Sequence, residues 1–247
     1  MESIATWHDR ILELETVSPR QMGASLIIAP HQDDETLGCG GTAALLLKMG
    51  CAVHFLFMSD GTMSHPNSKK FPAEKLQQLR EDEAREAVRI LGGNPDDITF
   101  LALKDSRLPH EQDYQFTEVV KNVSEFITSV APETIFVPWR NDPHQDHRAT
   151  WQILNAAIKS LKLKPRMLEY PVWLWERGDP DDMEQLEKMQ KWCVNIETTL
   201  EVKNKALAAH VSQVTHLIDD DPEGFILSEQ VIAHFDIPRE IFFESIT

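Results

Sequence analysis

Apolar residues fall along the chain in short unbroken runs, separated by longer stretches where they recur every three or four positions. "SLIIAP" (25–30), "AVHFLFMS" (52–59), "DITFLAL" (97–103) and "TIFVP" (134–138) are short apolar runs bounded by turn residues, as strands buried on both faces are. Between them lie helical patterns: "GGTAALLLKMG" (40–50), "PAEKLQQLREDEAREAVRILGG" (72–93), "FTEVVKNVSEFITSVA" (116–131) and "DHRATWQILNAAIKSLKL" (146–163). Pro72 suits a first helical turn, and Gly92 and Gly93 suit a helix end. Strand and helix alternate four times. This predicts an α/β fold with a mostly parallel sheet and helices on both faces.

The last third is less regular. "MLEYPVWLW" (167–175) and "CVNIE" (193–197) read as strands, "DDMEQLEKMQKW" (181–192) and "TLEVKNKALAAHVSQ" (199–213) as helices, and "REIFFESI" (239–246) as a closing strand. A weak helical pattern over residues 3–15 predicts a helix at the edge of the fold. There is no repeat, low-complexity segment or Gly/Ser linker, so the 247 residues are expected to form one domain.

Charge narrows the partners. Forty acidic against 24 basic residues give a formal net charge of −16. Such a surface repels phosphate backbones, so nucleic acid is not an expected partner. The three cysteines (Cys39, Cys51, Cys193) are few and far apart, which fits a reducing compartment. The first 21 residues lack the apolar core of a secretory signal, and no apolar stretch is long enough to span a bilayer. A cytoplasmic protein without membrane contact is expected; a homo-oligomer stays open.

Two loops carry the candidate chemistry. "PHQDDE" (30–35) follows the first strand, and "PHQDH" (143–147) follows the fourth. A sheet of order 3-2-1-4 makes those strands neighbours, and the crevice at their carboxyl ends is where ligands bind in such folds. Adjacent acids repel, and burying them requires a positive partner. Two imidazoles and a carboxylate suit a divalent ion, zinc above all, with an open position for water. The best ligand set is His31, Asp34 and His147, since His31 and Asp34 are three apart and share one face of a turn. Asp33 is then spare and suits a general base. His144, held by Asp146 or Asp142, would stabilise an oxyanion or protonate a leaving amine.

Other readings compete. Acids are favoured at a helix N-terminus without any ligand, but that does not explain the second motif. "GCGGTA" (38–43) fits a dinucleotide fingerprint, with Asp60 placed for a ribose; yet its glycines begin several residues past the strand, behind three acids. Close helix–sheet packing explains them better. Two histidines and a carboxylate also fit an Fe(II) oxygenase, though not in alternating strands and helices. Trp139, beside the second motif, is expected at the rim, whereas Trp173 and Trp175 read as core. Arg140 and Asn141 are candidates for substrate hydroxyls. His210 reads equally as site lining or as core.

"PHQDDETLGCGG" and "PHQDHRAT" together resemble the PIG-L or LmbE-like N-deacetylases. "LREDEAREAVRILGG", "LKDSRL" and "KNKALAAHVSQ" extend the resemblance over most of residues 25–215. It implies a Rossmann-like three-layer sandwich and one deacetylase domain over 1–247, with 216–247 as its C-terminal extension. It also implies one zinc ion, Fe(II) being the alternative, held by His31, Asp34 and His147. Asp33 is then the base, His144 assists the tetrahedral intermediate, Asp146 orients it, and Asp105 sits in the substrate loop. The implied reaction removes acetyl from an N-acetylated sugar or small glycoconjugate. A metal-bearing sugar-binding protein without activity is the runner-up, and an NAD-dependent oxidoreductase a more distant one. Gln32 and Gln145 stand where prolines are common in the family, and both gain a hydrogen-bonding side chain. The loop "SDGTMSHPNSKKF" (59–71) lacks the family's glycine-rich, arginine-bearing form, so the sugar's partner group is not fixed.

Overall fold

The computed structural model describes residue 14, residues 16–162 and residues 164–246. The edge helix expected over residues 3–15 therefore lies, apart from Leu14, outside the described residues. Seven strands form one sheet: β1 (Ser25–Ala29), β2 (Val53–Ser59), β3 (Ile98–Leu103), β4 (Thr134–Pro138), β5 (Arg166–Tyr170), β6 (Met189–Asn195) and β7 (Arg239–Ser245). Their order is β3-β2-β1-β4-β5-β7-β6. The first five are parallel to their neighbours. β7 runs antiparallel to β5 and β6, and β6 forms the far edge. The expected 3-2-1-4 order is present, so the ends of β1 and β4 lie side by side.

Successive strand residues face opposite layers. Leu26 and Ile28 join one core, and Ile27 and Ala29 the other. The helices α1 (Asp34–Lys48) and α2 (Ala73–Leu91) pack in the second core; α3 (Phe116–Val130) and α4 (Gln145–Ser160) cover the first. Of the 15 residues of α1, 13 are buried, so it is enclosed on all sides rather than amphipathic. It starts at Asp34, six residues earlier than expected. Its glycines serve close packing: a Cβ on Gly38 would run into the Tyr170 ring, and one on Gly41 would meet Ile196 at 2.6 Å. The dinucleotide reading of "GCGGTA" fails on that ground, since these glycines lie inside a helix and face side chains.

The last third departs most from expectation. "MLEYPVWLW" is a strand only to Tyr170. Pro171 brings no N–H, and the Asp142 carboxylate accepts from Val172 and Trp173 (3.2 and 3.0 Å). The chain then turns into α5 (Leu174–Arg177). The helix expected over 181–192 stops early, as α6 (Pro180–Glu187), because Met189–Asn195 pairs with β7. α7 (Leu200–Ala209) breaks at His210 before α8 (Val211–Val214), and a short α9 (Glu229–Ala233) follows. A buried Lys203–Glu240 ion pair (2.8 Å) ties α7 to β7.

Residues 219–227 form a strap over the loop after β2. Asp220 accepts from the N–H groups of Lys69 and Lys70 and from Ser68 Oγ (2.8, 2.9 and 2.6 Å). Asp221 accepts from Asn67 N–H (2.8 Å). Phe225 N–H donates to Ser64 O, and Leu227 N–H to Gln213 O.

Candidate active site

The loops after β1 and β4 meet at one end of the sheet, as the strand order requires. The three consecutive acids of the first loop point to three different positive partners. Asp34 Oδ2 lies 3.1 Å from His31 Nδ1 and 3.3 Å from His147 Nε2. Asp33 Oδ1 lies 3.7 Å from the Arg80 guanidinium. Glu35 Oε1 lies 3.0 Å from His210 Nε2, while Glu35 Oε2 accepts the Asp33 N–H at 3.0 Å. All three acids are buried. Entry into α1 turns successive side chains by about 100° each, so three neighbours need not share one partner. Asp33 sits at φ +148°, ψ −28°, a backbone region that L-residues avoid. Such conformations cost about 1–3 kcal/mol and cluster at functional sites.

The environment separates the two aspartates. Burial lifts the Asp33 carboxyl to about 7, against the charge of Arg80. Burial acts on Asp34 too, but His147 and His31 outweigh it and hold Asp34 well below the usual carboxylate range. Against burial, Asp34 and Asp142 push His147 up to about 9. Also against burial, Asp105, Asp146 and Asp34 raise His31.

Several groups orient the imidazoles. Asp142 Oδ1 lies 3.3 Å from His147 Nδ1 and accepts the His144 N–H at 2.9 Å. His31 Nε2 lies 3.2 Å from Asp146 Oδ2 and 3.3 Å from Asp105 Oδ1. The Asp146 carboxylate also accepts Ser106 N–H at 2.7 Å. His144 is held by the Asp146 backbone rather than its carboxylate: Asp146 N–H donates to His144 Nδ1 at 3.2 Å. That bond places the proton of a neutral His144 on Nε2. Burial, then the charges of His147 and His31, push His144 down to about 4, so it is neutral near pH 7.

These donors suit a divalent ion. Both ring nitrogens of buried His147 lack a hydrogen bond, yet Nε2 faces Asp34. The ligand atoms of His31, His144 and His147 lie within 4.8 Å of one another, as do those of His31, Asp105 and Asp146.

The cavity beside them is lined by His31, Asp33, Asp34, Arg80, Asp105 and His144 among others. Trp139 does not reach it. Its backbone N–H donates to Tyr170 O (2.8 Å), and its fully buried indole packs on Phe243, so the expected rim exposure is corrected. Trp173 is buried in the core, as expected, and one side of it also lines the cavity. Arg140 is engaged by buried Glu169 and by Ser245 Oγ (2.6 Å), and it stacks over Trp151. Neither Arg140 nor Asn141 borders the cavity. The two glutamines act as braces: Gln32 Nε2 donates to Ser59 O (2.9 Å) and Gln145 Nε2 to Ser106 O (2.6 Å).

Arg80, Asp142, His210 and Gln213 received no firm role from the sequence. A signal existed for Arg80 and Glu83. They fall on the stripe Leu76, Ala84, Ala87, Leu91, where charge is out of place. Arg80 donates to Gln32 O and Gly61 O (2.9 and 3.0 Å). Glu83 accepts from Ser212 N–H and Oγ (2.7 and 2.6 Å). His210, left open by the sequence between site lining and core, is fully buried and reaches Glu35 from 175 residues away.

An open α/β sheet with titratable groups clustered at its switch point defines a class of enzyme-like sites. Residues 26–158 match the family described as PIG-L: GlcNAc-PI de-N-acetylase, and the chain belongs to that family. It is 28% identical over 204 residues to a probable N-acetyl-alpha-D-glucosaminyl L-malate deacetylase 2 of Bacillus cereus, covering 79% of this chain and 86% of that one. It is 31% identical over 129 residues to the diacetylchitobiose deacetylase of Thermococcus kodakarensis, covering 50% and 44%. Among solved structures, the N,N'-diacetylchitobiose deacetylase of Pyrococcus horikoshii in complex with an inhibitor superposes with a TM-score of 0.62 at 24% identity, covering 85% and 80%.

Proposed function

We propose that the chain is a metal-dependent hydrolase that removes acetyl from an N-acetylated sugar or small glycoconjugate in the cytoplasm. One observation carries this reading: Asp34 stands between two imidazoles, with a second buried carboxylate, Asp33, beside it and free of them. Family membership and the sugar deacetylases among the relatives support it. Three free cysteines and the lack, among the described residues, of any helix long and apolar enough to cross a membrane fit the location.

His31 Nδ1, Asp34 Oδ2 and His147 Nε2 would hold zinc, with Fe(II) as the alternative. The His144 Nδ1 lone pair is already used by Asp146 N–H. Such an ion supplies Lewis acidity and makes water a better nucleophile near neutral pH. Asp33 takes a proton as the water oxygen bonds to the amide carbon. The His144 Nε2–H donates to the oxygen that gains charge, a role for a neutral imidazole. The carbon–nitrogen bond then breaks, Asp33 returns the proton to the amine nitrogen, and acetate leaves. Asp105 borders the same space, where its carboxylate would accept from sugar hydroxyls.

The test is release of acetate and primary amine from N-acetylglucosamine conjugates, with and without a chelator. Release that stops on chelation and returns with zinc supports the reading. Sugar binding without release would instead establish the binding-protein alternative.

A further inference from the structure

Two buried titratable groups take no part in the chemistry derived above. Glu35 and His210 are fully buried, and neither lines the cavity. A carboxylate there carries a desolvation cost that an apolar residue would avoid. Its bonds show where it acts. Glu35 Oε2 folds back two residues to accept the Asp33 N–H at 3.0 Å. Glu35 Oε1 accepts from Thr36 Oγ1 at 2.6 Å and faces His210 Nε2 at 3.0 Å. His210 Nδ1 has no hydrogen bond among the described residues, so the ring proton of the neutral form belongs on Nε2, facing the carboxylate.

Asp33 is the residue that needs holding. At φ +148° it is strained, and its side chain makes no capping bond to α1. Its carbonyl is fixed by the first turn of α1, accepting from Thr36 N–H and Leu37 N–H (3.1 and 2.9 Å). Glu35 supplies the tie on the N–H side. Because φ turns about the N–Cα bond, the two ties together set where the Asp33 carboxylate points. His210 is anchored in turn at the break between α7 and α8. Its N–H donates to Leu207 O at 3.1 Å, and its carbonyl accepts from Gln213 N–H at 2.8 Å. Ser212 beyond it bonds Glu83 on α2, the helix whose Arg80 faces the Asp33 carboxylate.

We propose that Glu35 and His210 are positioning residues: the pair holds the strained turn at Asp33 and so keeps its carboxylate facing the cavity and apart from the metal ligands. This rests on the reading of Asp33 as the deacetylase base. Neither residue touches substrate or metal; both act through the Asp33 backbone.

The experiment is a double-mutant cycle on the zinc-loaded protein, with an N-acetylglucosamine conjugate as substrate. His210→Leu removes the donor, whereas His210→Gln keeps an N–H close to the place of Nε2. His210→Leu should lower kcat about 10–10²-fold, the scale of an ångström-sized misplacement, with KM and zinc content near those of wild type. His210→Gln should recover most of the loss. In the Asp33→Ala background, His210→Leu should leave the residual kcat unchanged, whereas a merely structural role would lower both backgrounds alike. Equal losses in the two backgrounds overturn the proposal, as do lost zinc or full activity in His210→Leu. If His210→Leu does not fold, Thr36→Val, which removes the hydroxyl bonded to Glu35 Oε1, takes its place with the same readings. Crystals of the wild type and the variant give a reading that needs no turnover. In the variant Asp33 should leave φ near +148° and its carboxylate should move; an unchanged turn overturns the proposal. If wild type releases no acetate, the deacetylase reading has failed separately, and the crystals alone decide whether the pair holds the turn.

Discussion

Asp33 and Asp34 are chemically identical neighbours with opposite surroundings, and their substitutions should fail differently. Asp33→Ala removes the proposed proton acceptor but none of the metal donors. It should lower kcat about 10²–10⁴-fold while zinc content, read by elemental analysis, stays near that of wild type. Asp34→Ala and His147→Ala should lose the metal itself. A metal-replete Asp33→Ala protein with full activity would remove the base assignment. The paired motifs were legible because His, Asp and spacing are local properties. What lay outside local pattern was missed or misplaced. Asp142 orients His147 through a turn that only the folded loop defines. Trp139 is in the core and not at the rim because burial there depends on how the chain turns after Pro138.

The helix α1 shows how tightly an element can be constrained. Ala is ordinarily better than Gly inside a helix by about 0.5–1 kcal/mol. At Gly38, however, a Cβ would overlap the buried Tyr170 ring, whose hydroxyl is tied to Ile28 O at 2.8 Å. Overpacking costs about 1–3 kcal/mol, so Gly38→Ala should lower the urea midpoint despite its better propensity. A raised midpoint would show that the ring yields easily. The strap over the β2 loop makes a second test. Gly224 abuts the ring of buried His65. Burial, against the charge of Asp221, holds His65 below its ordinary value of 6.5. The unfolded chain therefore binds this proton first on acidification, and stability falls as pH drops below about 6.5. Asp220, held at about 2 chiefly by Ser68, loses its contribution only below the ordinary carboxylate range, in a separate window. Between pH 7.5 and 5, the urea-midpoint difference between wild type and His65→Gln should shift against wild type as pH falls. A flat difference would refute the assignment. The strap left no trace in sequence pattern, since its acids bond backbone N–H groups about 150 residues away.

Taken whole, the molecule brings together two loops more than a hundred residues apart by placing β1 beside β4. That step was legible, because alternating strands and helices with right-handed crossovers leave few strand orders. The β5-β7-β6 side was less so, because antiparallel addition follows no comparable rule and strand and helix signals overlap near Met189. The consequence for chemistry is a pocket where two imidazoles and Asp34 converge while Asp33 stays apart. Anomalous diffraction at the zinc edge, from crystals of the zinc-loaded protein, tests this most directly. The ion should lie about 2.0–2.2 Å from His31 Nδ1, Asp34 Oδ2 and His147 Nε2, with Asp33 outside the ligand set. An ion bound elsewhere, or one that Asp33 coordinates, would contradict it.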